Sequence, residues 1–340
     1  MTTTKTLVAQ GSPSRLAREN LHLVCGSGGS RAILASAGFV YAIDKCGLKN
    51  FSTIGGVSGG SIPSLMYAAG LPAGRVVQLA VDIDFSSMLT RRANVFKMFL
   101  AFLLKERLAQ TRPREAVLGS EKLESFIDEL LPVWPEKYWT MAVAGKTQVV
   151  FTSKGVFQYL HDGSMRQISD KPGPLGLAVC ASCAVPGIID PKYWQKMYLF
   201  DGALSWDGQC PIGVVVRDMG AKPSQILACD VGDREGGLSE FVNNFWRFFC
   251  GRDCVWPEDE RDPAIWEAQG STVVMPKINK FASLQFTLSS EQKWGAVMAG
   301  YADTITMLWK RGVIDHNKFE ALGALVANQE LFKLDCKASQ

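Results

Sequence analysis

Long apolar runs are missing from this 340-residue sequence. The longest candidate, Met98–Leu104, is seven residues between Lys97 and Lys105, against the 18 or more that a membrane-spanning helix requires. The opening stretch MTTTKTLVAQGSPSRLAREN has no apolar core, so no secretory signal is expected. An excess of one charge is missing too. Lys+Arg number 36 and Asp+Glu 33, a net charge of +3, too weak to argue for a nucleic-acid partner. Hydrophobic residues at 47% and charged residues at 20% exclude a disordered chain, a coiled coil and a collagen-like repeat. Histidine is scarce: only His22, His161 and His316 are present. The nine cysteines are an odd number spread from Cys25 to Cys336. That pattern suits reduced thiols in a cytoplasmic protein better than a disulfide framework, and an effector exported by a signal-less route would share it.

What is present is a repeated strand–turn–helix unit, the opening of an α/β fold with parallel strands. Leu21–Cys25 is a short apolar run that stops at Gly26-Ser27-Gly28-Gly29-Ser30-Arg31, and Ala32–Cys46 follows with a helical pattern. The unit recurs as a strand at Phe51–Ile54, a tight turn at Gly55–Gly60 and a helix at Ser61–Ala69, with Pro63 tolerated in its first turn. The stretch from about 71 to 143 reads as mostly helical. Thr147–Leu160 reads as a hairpin turning at Ser153–Gly155, and further strands are expected at Met197–Phe200, Gln225–Cys229 and Thr272–Met275. A helical part spans about 290–333, broken near Gly312. No interdomain linker or internal repeat is visible. The expected organisation is a flexible arm over residues 1–19 and a single domain over 20–335.

Two glycine-rich turns carry the chemistry. Gly56-Val57-Ser58-Gly59-Gly60 fits G-x-S-x-G between a strand and a helix, a sharp bend that lifts one hydroxyl clear of the backbone at a helix N-terminus. The first loop, Gly26–Arg31, lacks the Lys of a phosphate-binding P-loop and has Arg31 where a dinucleotide fingerprint needs its third Gly. Backbone donors for an oxyanion are the remaining functional reading. Ser58 then needs a base. His22 falls in the first strand and His161 in a turn, so His316 is the one tenable histidine, in an order that would suit an α/β-hydrolase. The other candidate is Asp201, which follows an apolar strand directly and precedes Gly202. The residues alone leave both open.

In three blocks, taken in order, the chain resembles the patatin-like phospholipases. The loop ending in Arg31 is similar to the family's G-G-G-x-R-G motif, with Ser27 at the first Gly and Ala32 at the last. Gly56–Gly60 is similar to its nucleophile elbow. Ala178-Val179-Cys180-Ala181-Ser182-Cys183-Ala184-Val185-Pro186, leading to Asp201-Gly202-Ala203, is similar to its A-S-x-A-x-P segment followed by its D-G-[GA] box. The family's Asn-x-Pro is replaced nearby by Asp207-Gly208-Gln209-Cys210-Pro211. The resemblance covers about 21–70 and 175–232. It implies a three-layer α/β/α fold with a mainly parallel central sheet and extra helices. It also implies a lipid acyl hydrolase (phospholipase A or lysophospholipase type) with Ser58 as nucleophile, Asp201 as its partner and no catalytic histidine. Oxyanion donors would come from Gly28 and Gly29, and Arg31 would support that loop or hold a phosphate. A catalytically degenerate lipid-binding member is the non-enzymatic alternative. No metal or other cofactor is expected: Cys180 and Cys183 lie in the third block, Cys250 and Cys254 are oddly spaced, and all four read as structural thiols.

The implied partner is a phospholipid or other acyl lipid. Ser87–Val117 holds seven Lys/Arg (Arg91, Arg92, Lys97, Lys105, Arg107, Arg112 and Arg114) and two Glu around the apolar stretch Val95–Leu104. The mixture suits a helix lying on an anionic membrane surface, and equally a core helix with a solvated basic rim. Phe241–Phe249 (FVNNFWRFF) would serve the membrane or an acyl pocket. The expected location is cytoplasmic with peripheral membrane association.

Overall fold

A computed structural model describes residues 20–92, 116–160, 162–231, 262–278, 281, 282 and 284–339. Its centre is a mixed sheet. Strand β1 (Leu21–Cys25) lies between β2 (Phe51–Gly56) and β11 (Ile226–Cys229), parallel to both. β12 (Thr272–Val274) extends this parallel part beyond β11, and β5 (Tyr138–Ala144) extends it beyond β2. From β5 the sheet continues as an antiparallel meander through β6 (Thr147–Thr152), β7 (Gly155–Tyr159) and β8 (Met165–Ser169). β10 (Met197–Asp201) also pairs antiparallel with β5 and forms a hairpin with β9 (Lys192–Trp194). A separate two-stranded ribbon joins β3 (Thr90–Arg91) to β4 (Leu118–Gly119).

Alternation along the central strands makes the layers. Leu21, Leu23 and Cys25 of β1, with Leu227 and Cys229 of β11, enter one hydrophobic cluster. Val24, Ile226 and Ala228, the residues between them, enter another. A strand that is apolar on both faces must be covered on both. The first cluster is completed by α1 (Gly29–Lys45), α2 (Ser61–Ala68), α3 (Ala73–Asp82) and the C-terminal helices α7 (Ser290–Lys310) and α9 (Gln329–Ala338). The second is completed by Cys210–Val215, Ala221 and Trp266 of α6 (Pro263–Ala268). Between α7 and α9 lies α8 (His316–Val326). The remaining described helices are α4 (Glu121–Leu130) and α5 (Leu175–Ser182).

Helices α1 and α7 touch backbone to backbone. A Cβ on Gly300 would sit 2.1 Å from the Ala35 carbonyl oxygen, and one on Gly38 would sit 2.0 Å from the Val297 carbonyl oxygen. Gly300→Ala should therefore destabilise the protein by about 1–3 kcal/mol, because rigid backbone has to move. Gly295→Ala is the control, since nothing lies within 4 Å of that site, and there alanine should stabilise slightly through helix propensity. Chemical denaturation of the two variants checks the pair, and equal effects would refute the close-crossing argument.

The stretch 71–143 departs from the sequence expectation. Its described helices are α3 and α4, while Tyr138–Ala144 (YWTMAVA) is a central strand. A strand buried on both faces loses its period-2 pattern and looks like a buried helix. The first helix begins at Gly29, inside the glycine loop, rather than at Ala32. The C-terminal helices run on to Ala338 because Phe332 and Cys336 are buried against α1 and α3. The N-terminal arm 1–19, His161, the apolar stretches 95–104 and 241–249, and Cys250 and Cys254 lie outside the described residues.

Candidate active site

The turn after β2 forces Ser58 into the left-handed region, at φ 52°. A non-glycine residue there costs on the order of 1–3 kcal/mol and persists only when its surroundings hold it. Here the Ser58 N–H donates to Ser182 Oγ at 2.9 Å, and Ser61 Oγ donates to the Ser58 carbonyl at 2.5 Å. One residue earlier, the Val57 N–H donates to the Cys25 carbonyl, and Thr140 Oγ1 donates to the Gly56 carbonyl at 2.9 Å. The strained residue is thus clamped from α5, β1, β5 and its own helix.

The clamp aims the hydroxyl. Ser58 Oγ donates to Asp201 Oδ2 at 2.7 Å across 143 residues of sequence. Asp201 ends β10, and its other oxygen, Oδ1, accepts the Ala203 N–H at 2.8 Å, capping the short 3-10 turn Gly202–Leu204. Both side chains are buried, Ser58 at 4% exposure and Asp201 at 3%. Burial pushes the Asp201 carboxyl up to about 7, against the opposing pull of the hydrogen bonds from Ala203 and Ser58. A buried carboxylate with that affinity for protons is a competent base near neutral pH.

The loop from β1 to α1 lies directly on this turn. Gly28 and Gly29 have φ of 147° and 56°, and a Cβ on Gly59 would meet the Gly29 carbonyl oxygen at 2.2 Å. The Gly26 N–H donates to the Cys229 carbonyl and the Ser27 N–H to the Gln209 carbonyl. No described residue accepts a backbone hydrogen bond from the N–H of Gly28 or Gly29, which lie at the positive end of α1. Both glycine turns follow the carboxyl ends of parallel strands, where α/β folds place their ligands.

A narrow pocket of about 40 Å³ opens from these groups. Gly29, Ser58 and Gly59 form its polar end. The rest is apolar, from Ile33, Ile62, Phe85, Met88, Leu123, Val185, Ile189, Leu284 and Phe286 among others.

The family model for patatin-like phospholipases matches residues 23–214, more than half of the chain. The chain belongs to this family. The crystal structure of VipD from Legionella pneumophila is similar over 92% of this chain and 75% of that one, with 13% identity and a TM-score of 0.47. No curated protein matches the chain significantly.

For this patatin-like phospholipase the three sequence blocks converge on one place. Ser58, Asp201, Gly28 and Gly29 come together there, and His316 does not. His316 opens α8 on an exposed turn, pairs with Glu320 at 3.2 Å and lies against Trp309. His22 is buried between β1 and β2, where Nδ1 meets Thr53 Oγ1 at 2.8 Å, and burial lowers its proton affinity. Cys183 lines the pocket as a thiol whose pKa is pushed well up by burial and by Asp201. Cys180 donates weakly to the Ser120 carbonyl. Among the described residues no cluster of three or more His, Cys, Asp or Glu could hold a metal ion, and no helix is long and apolar enough to cross a membrane. Of the basic stretch, Arg91 is exposed in β3, and Arg92 pairs with Glu121 and lies 3.7 Å from Asp190.

Two contacts that hold the site together escaped the sequence. Ser182 belongs to a block the sequence singles out, but its hydrogen bond to Ser58 N spans 124 residues. The loop after Asp201, where the family's Asn-x-Pro is missing, is instead tied down by buried Asp207. Its carboxylate accepts from Arg217 Nη2 at 2.6 Å and from Gln148 Nε2 at 2.6 Å. This fixes the loop whose Gln209 carbonyl holds Ser27.

Proposed function

We propose that the chain hydrolyses fatty-acyl esters of phospholipids, lysophospholipids or related lipids through a Ser58–Asp201 dyad. The observation that carries the reading is the 2.7 Å hydrogen bond from Ser58 Oγ to a buried carboxylate, facing an apolar pocket. Ser58 Oγ attacks the ester carbonyl while Asp201 Oδ2 takes its proton. The N–H groups of Gly28 and Gly29 receive the developing oxyanion, a contribution of about 2.7–4 kcal/mol per donor. Collapse expels the alcohol, which takes the proton from Asp201, and leaves an acyl-serine. Asp201 then deprotonates a water, the second tetrahedral intermediate collapses, the fatty acid leaves, and Ser58 recovers its proton. The apolar pocket receives the carbonyl end of the acyl chain, and each methylene buried there releases about 0.8 kcal/mol.

Such a substrate has to be drawn from a lipid surface. The Lys/Arg of Ser87–Val117 other than Arg92, which pairs with Glu121, support a peripheral contact with anionic membrane from the cytoplasmic side. Release of fatty acid from mixed phospholipid and lysophospholipid vesicles, together with labelling by a long-chain fluorophosphonate, tests the reading. The expected outcome is release that stops when the probe forms an adduct mapped to Ser58. A protein that releases nothing and carries no adduct would refute the reading.

A further inference from the structure

The first turn of α1 touches both the polar part of the pocket and the connection that supplies some of its apolar wall. Gly29 lies at the polar end, beside Ser58. The next two side chains reach the connection between β12 and α7: Ser30 Oγ donates to the Gln285 carbonyl at 2.8 Å, and Arg31 Nη2 donates to the Ile278 carbonyl at 2.8 Å. The residues on either side of Gln285, Leu284 and Phe286, form part of the apolar wall. They sit outside any helix or strand, so no ladder of backbone hydrogen bonds fixes that wall. Ser30 is fully buried, and both acceptors are main-chain oxygens. The guanidinium of Arg31 is thus engaged, through Nη2, with a carbonyl of this connection.

We infer that Ser30 and Arg31 set acyl-chain specificity by pinning the wall that carries Leu284 and Phe286. The inference rests on the acyl-hydrolase reading above. Both are positioning residues, since they act on the wall and not on the reacting atoms. A long acyl chain gains its binding from contact with a fixed apolar surface, and each buried methylene is worth about fourfold in affinity. An unpinned wall must be ordered at the expense of that gain. A short chain touches little of that wall and depends on it far less.

The test compares kcat and KM for p-nitrophenyl butyrate and p-nitrophenyl palmitate in the same micelles. The proteins are wild type, Ser30→Ala, Arg31→Met, Arg31→Lys and Phe286→Ala. The palmitate-to-butyrate ratio of kcat/KM should fall about tenfold in Arg31→Met and severalfold in Ser30→Ala, chiefly through KM for palmitate. Phe286→Ala should imitate them, and Arg31→Lys, which keeps a donor, should recover part of the ratio. Equal losses on both esters would overturn the inference and return Arg31 to the oxyanion loop, and an unchanged ratio would overturn it as well. Should Arg31→Met not fold, Ser30→Ala and Phe286→Ala decide. A wild type that cleaves neither ester would sink the acyl-hydrolase reading itself, whereas an active wild type with indifferent variants sinks only the specificity role.

Discussion

Asp201→Asn should lower fatty-acid release by about 10³- to 10⁴-fold, the scale on which a serine enzyme suffers when its acid–base machinery is broken. The substitution keeps the shape and can still accept the Ala203 N–H, but it removes the only described acceptor of the Ser58 proton. Ser58→Ala should be as severe, because nucleophile and base act as one unit. The double variant should then be no worse than either single one. His316→Ala is expected to keep wild-type rates, since that histidine faces Glu320 and Trp309 on an exposed helix start. Release assays on vesicles with the four variants side by side make the measurement. A His316→Ala variant as dead as Ser58→Ala would replace the dyad with a histidine-based triad.

The same carboxylate should make the protein's activity and stability run in opposite directions with pH. Burial raises the Asp201 pKa from 3.8 to about 7. As a base it must be ionised, so kcat/KM should rise about tenfold per pH unit below 7 and level off above it. In the unfolded chain the group titrates near 3.8, so between about pH 4 and 7 the folded state binds more protons than the unfolded one. Stability therefore falls as pH rises through that window, by about 1.4 kcal/mol per unit. The full cost, on the order of 4 kcal/mol, is present above pH 7. Asp201→Asn has no such titration. It should melt higher than wild type at pH 8, with the gap closing as the pH is lowered towards 4. Thermal unfolding across that range checks it, and a gap independent of pH would show that burial does not govern this carboxyl.

The sequence displayed the parts of this site that are local. A Gly-rich turn between an apolar strand and a helix announces itself within six residues, which is why the elbow at Ser58 and the loop at Gly28 and Gly29 were legible. Strands β1, β2, β6, β7, β10, β11 and β12 were legible for the same reason, bounded by turn residues. Tyr138–Ala144 was not, because burial on both faces erases the alternation that marks a strand. What the sequence left open was which group meets which. The choice between Asp201 and His316 rested on resemblance until the fold brought Ser58 Oγ to Asp201. The Ser182 contact, the Asp207–Arg217 pair and the direction of Arg31 are tertiary facts with no local signature.

Family likeness and cooperative folding draw different boundaries on this chain. The matched region stops at residue 214, yet β1, whose C-terminal loop carries Gly28 and Gly29, has β11 along one whole edge, and β11 begins at Ile226. Helix α1 meets α7 through Gly38 and Gly300 with no side chain between the backbones, and the connection ahead of α7 supplies Leu284 and Phe286 to the pocket. A fragment cut where the likeness ends would expose one edge of β1, bare the far face of α1 and open the apolar pocket on one side. The part of the molecule that the family model matches is therefore only part of a folding unit, and the part beyond it completes the sheet and the apolar pocket.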